Sequence, residues 1–277
     1  MPPPNAPRQR FAEMVRGGDD AIDLAEAALL IAAEAYPDLD IARCLRVLDT
    51  LAAEADVAMR GAGSDPERVR RLVEFLSTTG RFRGNQDDYY DQRNSFLNEV
   101  LDRRTGIPIT LAIVYLEVAR RRRLALVGVG FPGHFLVKHP GAPALIIDPF
   151  FGRFLSPSEC QERLCAVAGE NARLEPAHLE AATRGEILIR VLRNLKQIYV
   201  RAREFEPALA CSERILLVQP ELAVELRDRG LLYEQLECYA AARADLERYL
   251  SLHPDDPNAA DLRQRLIDLG RQGATLH

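Results

Sequence analysis

Residues 106–118 read Gly106-Ile107-Pro108-Ile109-Thr110-Leu111-Ala112-Ile113-Val114-Tyr115-Leu116-Glu117-Val118, apolar at almost every position from Pro108 onward. A helix that is apolar on nearly all sides is a buried one. This segment is therefore expected to be the central helix of a packed core. Its C-terminal end carries Arg120 to Arg123, read as positive charge set against the negative end of a helix dipole. A nucleic-acid patch is the alternative for that run.

N-terminal to it, residues 19–78 read as helices. Asp19-Asp20 opens a segment with apolar positions Ile22, Leu24, Ala25, Ala28, Leu29, Ile31 and Ala32, which Pro37 ends. A second amphipathic face runs from Ile41 through Leu51. Asp65-Pro66-Glu67 starts a third helix, with proline in its first turn. Gly80 to Arg93 is polar and turn-rich, an ordered loop, and Asn94-Ser95-Phe96-Leu97-Asn98 leads through a short helix to Gly106.

C-terminal to the buried helix come short β-like runs at 124–129, 135–138 and 144–147, the last two separated by the turn His139-Pro140-Gly141-Ala142-Pro143. A hairpin centred on Gly141 pairs Val137 with Leu145 and Leu136 with Ile146, and sets His134 opposite Asp148. Directly opposite side chains lie about 4.5–5.5 Å apart at Cβ, which suits an imidazole–carboxylate hydrogen bond. A slip by one residue destroys this pairing. Ser156-Pro157-Ser158-Glu159 is a capping-box helix start, and Gly169 is its stop. A reactive Cys160 in that first turn is the functional alternative.

The last stretch repeats itself. Leu192 and Leu226, Tyr199 and Tyr233, Ala208 and Ala242, Leu216 and Leu250, and Pro220 and Pro254 recur at a spacing of 34. With Gly230 and Leu246 they fit the tetratricopeptide pattern of small and large packing positions. In the first copy Lys196 stands where a small residue is expected. Helix pairs of this kind must stack to bury their faces, and a further helix is expected from Pro257 to Leu269.

Composition bounds the function classes. The chain has 277 residues, 47% apolar and 28% charged, with 36 basic and 41 acidic residues for a net charge of −5. That excludes a disordered tail, a collagen and a membrane bundle, and it disfavours duplex nucleic acid. The start, Met1-Pro2-Pro3-Pro4-Asn5, shows no charged leader followed by an apolar run. Five cysteines without a Cys-x-x-Cys pair argue against a disulfide framework or zinc knuckle. No phosphate loop or clustered ligand set is present, so no cofactor and no metal are expected. The expected compartment is the cytoplasm.

A buried helix with a free N-terminus, followed by strands presenting His and then Asp, is the layout of a papain-like core. The sequence resembles the transglutaminase-like superfamily, and more closely the bacterial family joining such a core to tetratricopeptide repeats. The matching blocks are residues 94–98, Gly106 to Ala112, Phe131-Pro132-Gly133-His134-Phe135 and Asp148-Pro149-Phe150. The resemblance implies an α+β fold: a degenerate transglutaminase-like core with N-terminal helices over 1–183, then an all-α repeat region over 184–277. It also implies that His134 and Asp148 correspond to the superfamily's base and orienting acid. The superfamily motif Gly-x-Cys-x-x-x-Ala is here Gly106-x-Pro108-x-x-x-Ala112, with proline in place of the nucleophile.

Three readings follow. In the first, a non-catalytic descendant binds a protein or peptide through its vestigial cleft and repeats, with Asn94, Asn98, Pro108, Leu192, Tyr199 and Tyr233 as candidate binding residues. In the second, an amide hydrolase or acyltransferase uses the His134–Asp148 dyad with Thr110 or an activated water. In the third, a scaffold binds its partner through the repeats alone. Asn94 and Asn98 also have a plain role open to them, hydrogen bonding to the nearby loop backbone. Arg103 and Arg104 have Asp102 and Asp148 as candidate partners. Oligomeric state and partner identity stay open.

Overall fold

The computed structural model describes residues 6–275, so the start at residues 1–5, read above for a leader, lies outside the described residues. The chain forms two compact units, one up to Val191 and one from Leu192.

The first unit begins with four helices: α1 (Ala6–Arg16), α2 (Leu24–Ala35), α3 (Ile41–Ala58) and α4 (Asp65–Ser77). Asp23, Asp40 and Ser64 cap α2, α3 and α4 by accepting from Glu26, Arg43 and Glu67 backbone N–H groups. Asp19 and Asp20 do not open α2 as expected; they form a 3-10 turn over Asp19–Ala21. Asp19 is spent elsewhere, its carboxylate accepting from the backbone N–H groups of Arg184 and Gly185. The sequence reading missed α1, whose buried residues Phe11, Ala12 and Val15 are thinly spaced in a polar stretch.

Next come β1 (Arg83–Gly84), α5 (Leu97–Arg103), β2 (Thr105–Gly106) and α6 (Pro108–Arg121). Every residue of α6 from Pro108 to Ala119 is buried. It packs against α2, α3, α4 and α5, and against the sheet that follows. Glu117 is the one charge buried among them, and Arg120 and Arg121 both pair with it. The basic run is thus partly tied to its own helix, with Arg120 also reaching Asp23 and Arg121 reaching Asp49.

A four-stranded antiparallel sheet follows in the order β3 (Val127–Val129), β4 (Leu136–His139), β5 (Ala142–Asp148) and β6 (Arg153–Leu155). The expected hairpin register is corrected by two residues: Val137 pairs with Ile147 and Lys138 with Ile146. The turn closes tightly, with His139 opposite Ala142, and an irregularity after Lys138 places the extra residues on β5. A shift of two preserves which side chains share a face, because the strand period is two. Helix α7 (Pro157–Ala168) starts at the Ser156–Glu159 capping box and stops at Gly169.

Helix α8 (Arg184–Ala202) contains the division between the units, and the boundary drawn from sequence at 183/184 falls at its start. The second unit continues with α9 (Phe205–Val218), α10 (Ala223–Gln235), α11 (Tyr239–Leu252) and α12 (Ala259–Thr275). Helices α9 to α12 pack each on the next. Leu226, Ala242, Leu246, Tyr249 and Leu262 form a shared core. In the second copy Gly230 lets α11 come close, since a Cβ there would lie 2.9 Å from Leu246 Cγ. In the first copy, Lys196 Nζ instead donates to Glu225 Oε1 at 2.6 Å and Asp228 Oδ2 at 2.9 Å.

Candidate functional site

Asp148 ends β5 and is fully buried. Its carboxylate accepts three hydrogen bonds: from Arg163 at 2.7 Å, from the Phe150 backbone N–H at 3.0 Å, and across 2.9 Å it meets His134 Nε2. His134 lies in the turn before β4 rather than on the strand, so the pair meets diagonally rather than across a ladder rung. The His134 side chain is 13% exposed, and among the described residues its Nδ1 has no hydrogen-bond partner.

The ring of Phe150 stands edge-on to His134, with centroids 6.2 Å apart. Behind it lies Gly84, whose N–H donates to the Phe150 carbonyl at 2.8 Å. Any Cβ at residue 84 would enter the Phe150 ring, so this close approach needs glycine. β1 runs parallel to β2 with Gly84 beside Gly106, which ties the loop to the start of α6. Asn85 N–H donates to the Gly106 carbonyl at 2.9 Å, and Asn85 Nδ2 to Asn94 Oδ1 at 3.1 Å. Asn94 Nδ2 in turn donates to the Asp88 carbonyl at 2.7 Å, fixing the loop that carries Tyr89 and Tyr90.

The residues named from sequence take these places. His134 and Asp148 are in contact. Pro108 begins α6 and is buried. Thr110 is 1% exposed; its hydroxyl donates to the Asn94 carbonyl at 2.6 Å and accepts from Ile107 N–H at 3.2 Å. Asn98 is buried, and among the described residues its Oδ1 has no hydrogen-bond partner. Leu192 and Tyr199, candidate binding residues from the sequence, are 0% and 7% exposed and pack in the helix core. Tyr233 is partly buried and donates to Glu213 at 3.2 Å. Arg103 pairs with Asp91, and Arg104 lies over the Phe82 ring, so neither takes the role considered for it at Asp102 or Asp148. Cys160 is fully buried, and burial pushes its thiol up, against a role as a reactive thiolate.

Sequence reasoning missed Arg163, Gly84, Tyr89 and Phe151. A cation on α7 after a capping-box start gives no hint that it reaches the end of β5. The adjacent Tyr89-Tyr90 in an otherwise polar loop was the one available signal. Among the described residues no three His, Cys, Asp or Glu side chains cluster closely enough to hold a metal ion. No described helix is long and apolar enough to cross a membrane. A separate cleft of about 460 Å³ lies at the end of α6 and includes neither His134 nor Asp148; Glu117 and Arg120 on its wall pair with one another.

The family model for the transglutaminase-like superfamily matches residues 42–193. The chain belongs to the transglutaminase-like superfamily. A tetratricopeptide-repeat model matches residues 195–267, so the core is followed by a repeat region as the sequence implied. Among its relatives, a UPF0162 protein of Xylella fastidiosa is 39% identical over 94% of both chains. A UPF0162 protein of Pseudomonas aeruginosa is 41% identical over 89% of this chain and 90% of its own. Protein SirB1 of Salmonella typhimurium is 29% identical over 77% of this chain and 80% of its own. The combination of a transglutaminase-like domain and repeats is that of a protein-interaction module.

Proposed function

We propose that this chain is a non-catalytic, regulatory member of its superfamily that binds a protein or peptide through the cleft around His134 and through its repeats. The observation that carries this reading is at the start of α6. By the resemblance, Pro108, which begins the helix, stands at the position of the superfamily nucleophile, and a proline side chain carries no group that could form an acyl intermediate. Thr110, the nearest hydroxyl along the chain, already donates to the Asn94 carbonyl and accepts from Ile107 N–H. Taking it as a nucleophile would leave a buried carbonyl without its partner, which costs about 1–3 kcal/mol.

The alternative, an amide hydrolase or acyltransferase working through an activated water, draws on the open Nδ1 of His134. Turnover and capture separate the two. The chain is expected to show no hydrolysis or transfer on amide and glutamine-peptide substrates, and His134→Ala is expected to reduce partner capture in a pull-down. Turnover that His134→Ala abolishes, in a folded variant, would overturn the binding reading. If Val200→Asp and Val224→Asp, at exposed repeat positions, abolish capture while His134→Ala leaves it intact, the partner site lies in the repeats alone.

A further inference from the structure

The surface around His134 has a definite chemical character. Tyr89, Tyr90 and Phe151 are 42%, 56% and 46% exposed, unusual for large apolar rings. They form one row: Tyr90 to Tyr89 at 5.4 Å, Tyr89 to Phe150 at 6.1 Å, and Phe150 to Phe151 at 5.0 Å between centroids. Exposed rings gathered beside a polar site mark a contact surface.

Beside that row stand two carboxylates. Asp87 and Asp88 directly precede the two tyrosines, are exposed, and among the described residues their carboxylates make no ion pair or side-chain hydrogen bond. Asp91, on the other side of the tyrosines, is by contrast paired with Arg93 and Arg103. Of the arginines near the row, Arg163 pairs with Asp148 and already lies over the Phe151 ring, 5.4 Å from its centroid, and Arg190 acts on Tyr89, so Tyr89 and Tyr90 beside Asp87 and Asp88 are the part of the row offered to a partner.

His134 adds a third feature. Where Nε2 donates to the Asp148 carboxylate, Nδ1 is the ring nitrogen left with a lone pair. Exposed ring faces attract cations, free carboxylates attract cations, and an accepting nitrogen takes an N–H. Lysine and arginine side chains are donors only, so a single chemistry satisfies all three.

We propose that this surface docks a basic segment of a partner protein, an arginine- or lysine-bearing stretch laid over Tyr89 and Tyr90 with its charge on Asp87 and Asp88. The proposal rests on the binding reading above and names the partner chemistry of that same cleft.

The test is fluorescence anisotropy with a fluorescein-labelled peptide of three Gly-Arg-Gly units, beside matched peptides carrying Leu or Glu for each Arg. The basic peptide is expected to bind the full chain and the Glu peptide not to. Tyr90→Ala is expected to weaken binding roughly tenfold by removing a cation–ring contact, and Asp87→Asn/Asp88→Asn by at least as much. Glu54→Gln/Asp56→Asn removes the same charge at exposed positions on α3 and is expected to weaken binding less than Asp87→Asn/Asp88→Asn does, since screening makes charge effects local. Circular dichroism checks the fold of each variant. Equal weakening by the two acid pairs overturns the proposal in favour of bulk attraction, and so does absence of binding by the basic peptide. Tighter binding of the Leu or Glu peptide, lost in Tyr90→Ala, overturns the basic preference while leaving the cleft a peptide site. Self-association on light scattering that Tyr90→Ala abolishes makes a second copy the occupant and overturns it as well. No binding of any peptide, together with partner capture insensitive to His134→Ala, sinks the cleft reading itself.

Discussion

Asp148 in the first unit and Glu225 in the second are both carboxylates shut away from water, at 0% and 1% exposure. Each is balanced by one cation, Arg163 or Lys196, and each accepts a further bond from a neutral donor, the Phe150 N–H or the Ser212 hydroxyl. They differ in what the remaining partner leaves over. Lys196 spends its ammonium on two carboxylates, Glu225 and Asp228. His134 gives one ring nitrogen to Asp148 and keeps the other open beside a row of exposed rings. Burial and ion pairing alone therefore do not mark a functional site. What sets the two carboxylates apart is the uncommitted polar atom beside exposed rings at Asp148.

The largest expected effect breaks the enclosed cluster. Among the described residues, Lys196→Met leaves buried Glu225 with the Ser212 hydroxyl alone to answer it, and stripping one partner from a buried pair costs about 3–5 kcal/mol. Urea unfolding of the full chain, followed by helical circular dichroism, measures this. The double change Lys196→Met/Glu225→Leu is expected to recover most of the loss, because replacing a whole buried pair by apolar groups is often neutral. Failure to recover would mean that Lys196 acts mainly through Asp228.

At Asp148 the same operation is expected to cost less. Arg163→Met removes the cation but leaves the Phe150 N–H and His134 in place, so about 1–3 kcal/mol is expected on the same unfolding curve. His134→Ala removes one of three partners on an intact Asp148–Arg163 pair. It is expected to cost about 1 kcal/mol. A loss by His134→Ala as large as that of Lys196→Met would mean the histidine is a structural keystone, and the contrast between the two carboxylates would collapse.

How much of this was legible follows from where each signal resides. Helix α6 was plain in its unbroken apolar run, and α7 in Ser156, Glu159 and Gly169, because both signals are local. The repeats were plain because copies of one helix pair must offer matching faces, so Leu, Tyr, Ala and Pro return at a fixed spacing. The meeting of His134 with Asp148 was legible for a subtler reason. The register inferred was wrong by two residues, yet an even error leaves both side chains on one face. Arg163 was not legible, because its place beside Asp148 is set by how α7 packs back on the sheet. The exchange of a small residue for Lys196 was visible as an anomaly. Its answer lay in Glu225 and Asp228, which only the packing of neighbouring helices brings near.

The smallest effect is a titration, and it separates a carboxylate held by a partner from one held by a helix end. Asp228 is pulled by opposing causes: burial alone would raise its pKa, but Lys196 and then Arg227 bring it below the ordinary 3.8. Glu159 sits partly exposed in the capping box of α7. The Ser156 backbone N–H, the Ser156 hydroxyl and Arg153 hold it down to about 2. Both values are depressed on folding, so each group stabilises the folded state above its unfolded pKa and loses that contribution as pH falls through the folded one. For Glu159 the window runs from 4.5 down to about 2. Carboxyl chemical shifts followed by NMR across this range measure both groups. In Lys196→Met, Asp228 loses its main counter-charge while staying largely buried, so its midpoint is expected to move upward, and Glu159 is expected to stay where it is. An Asp228 midpoint unmoved by that substitution would assign its depression to Arg227, and the ammonium would then serve Glu225 alone.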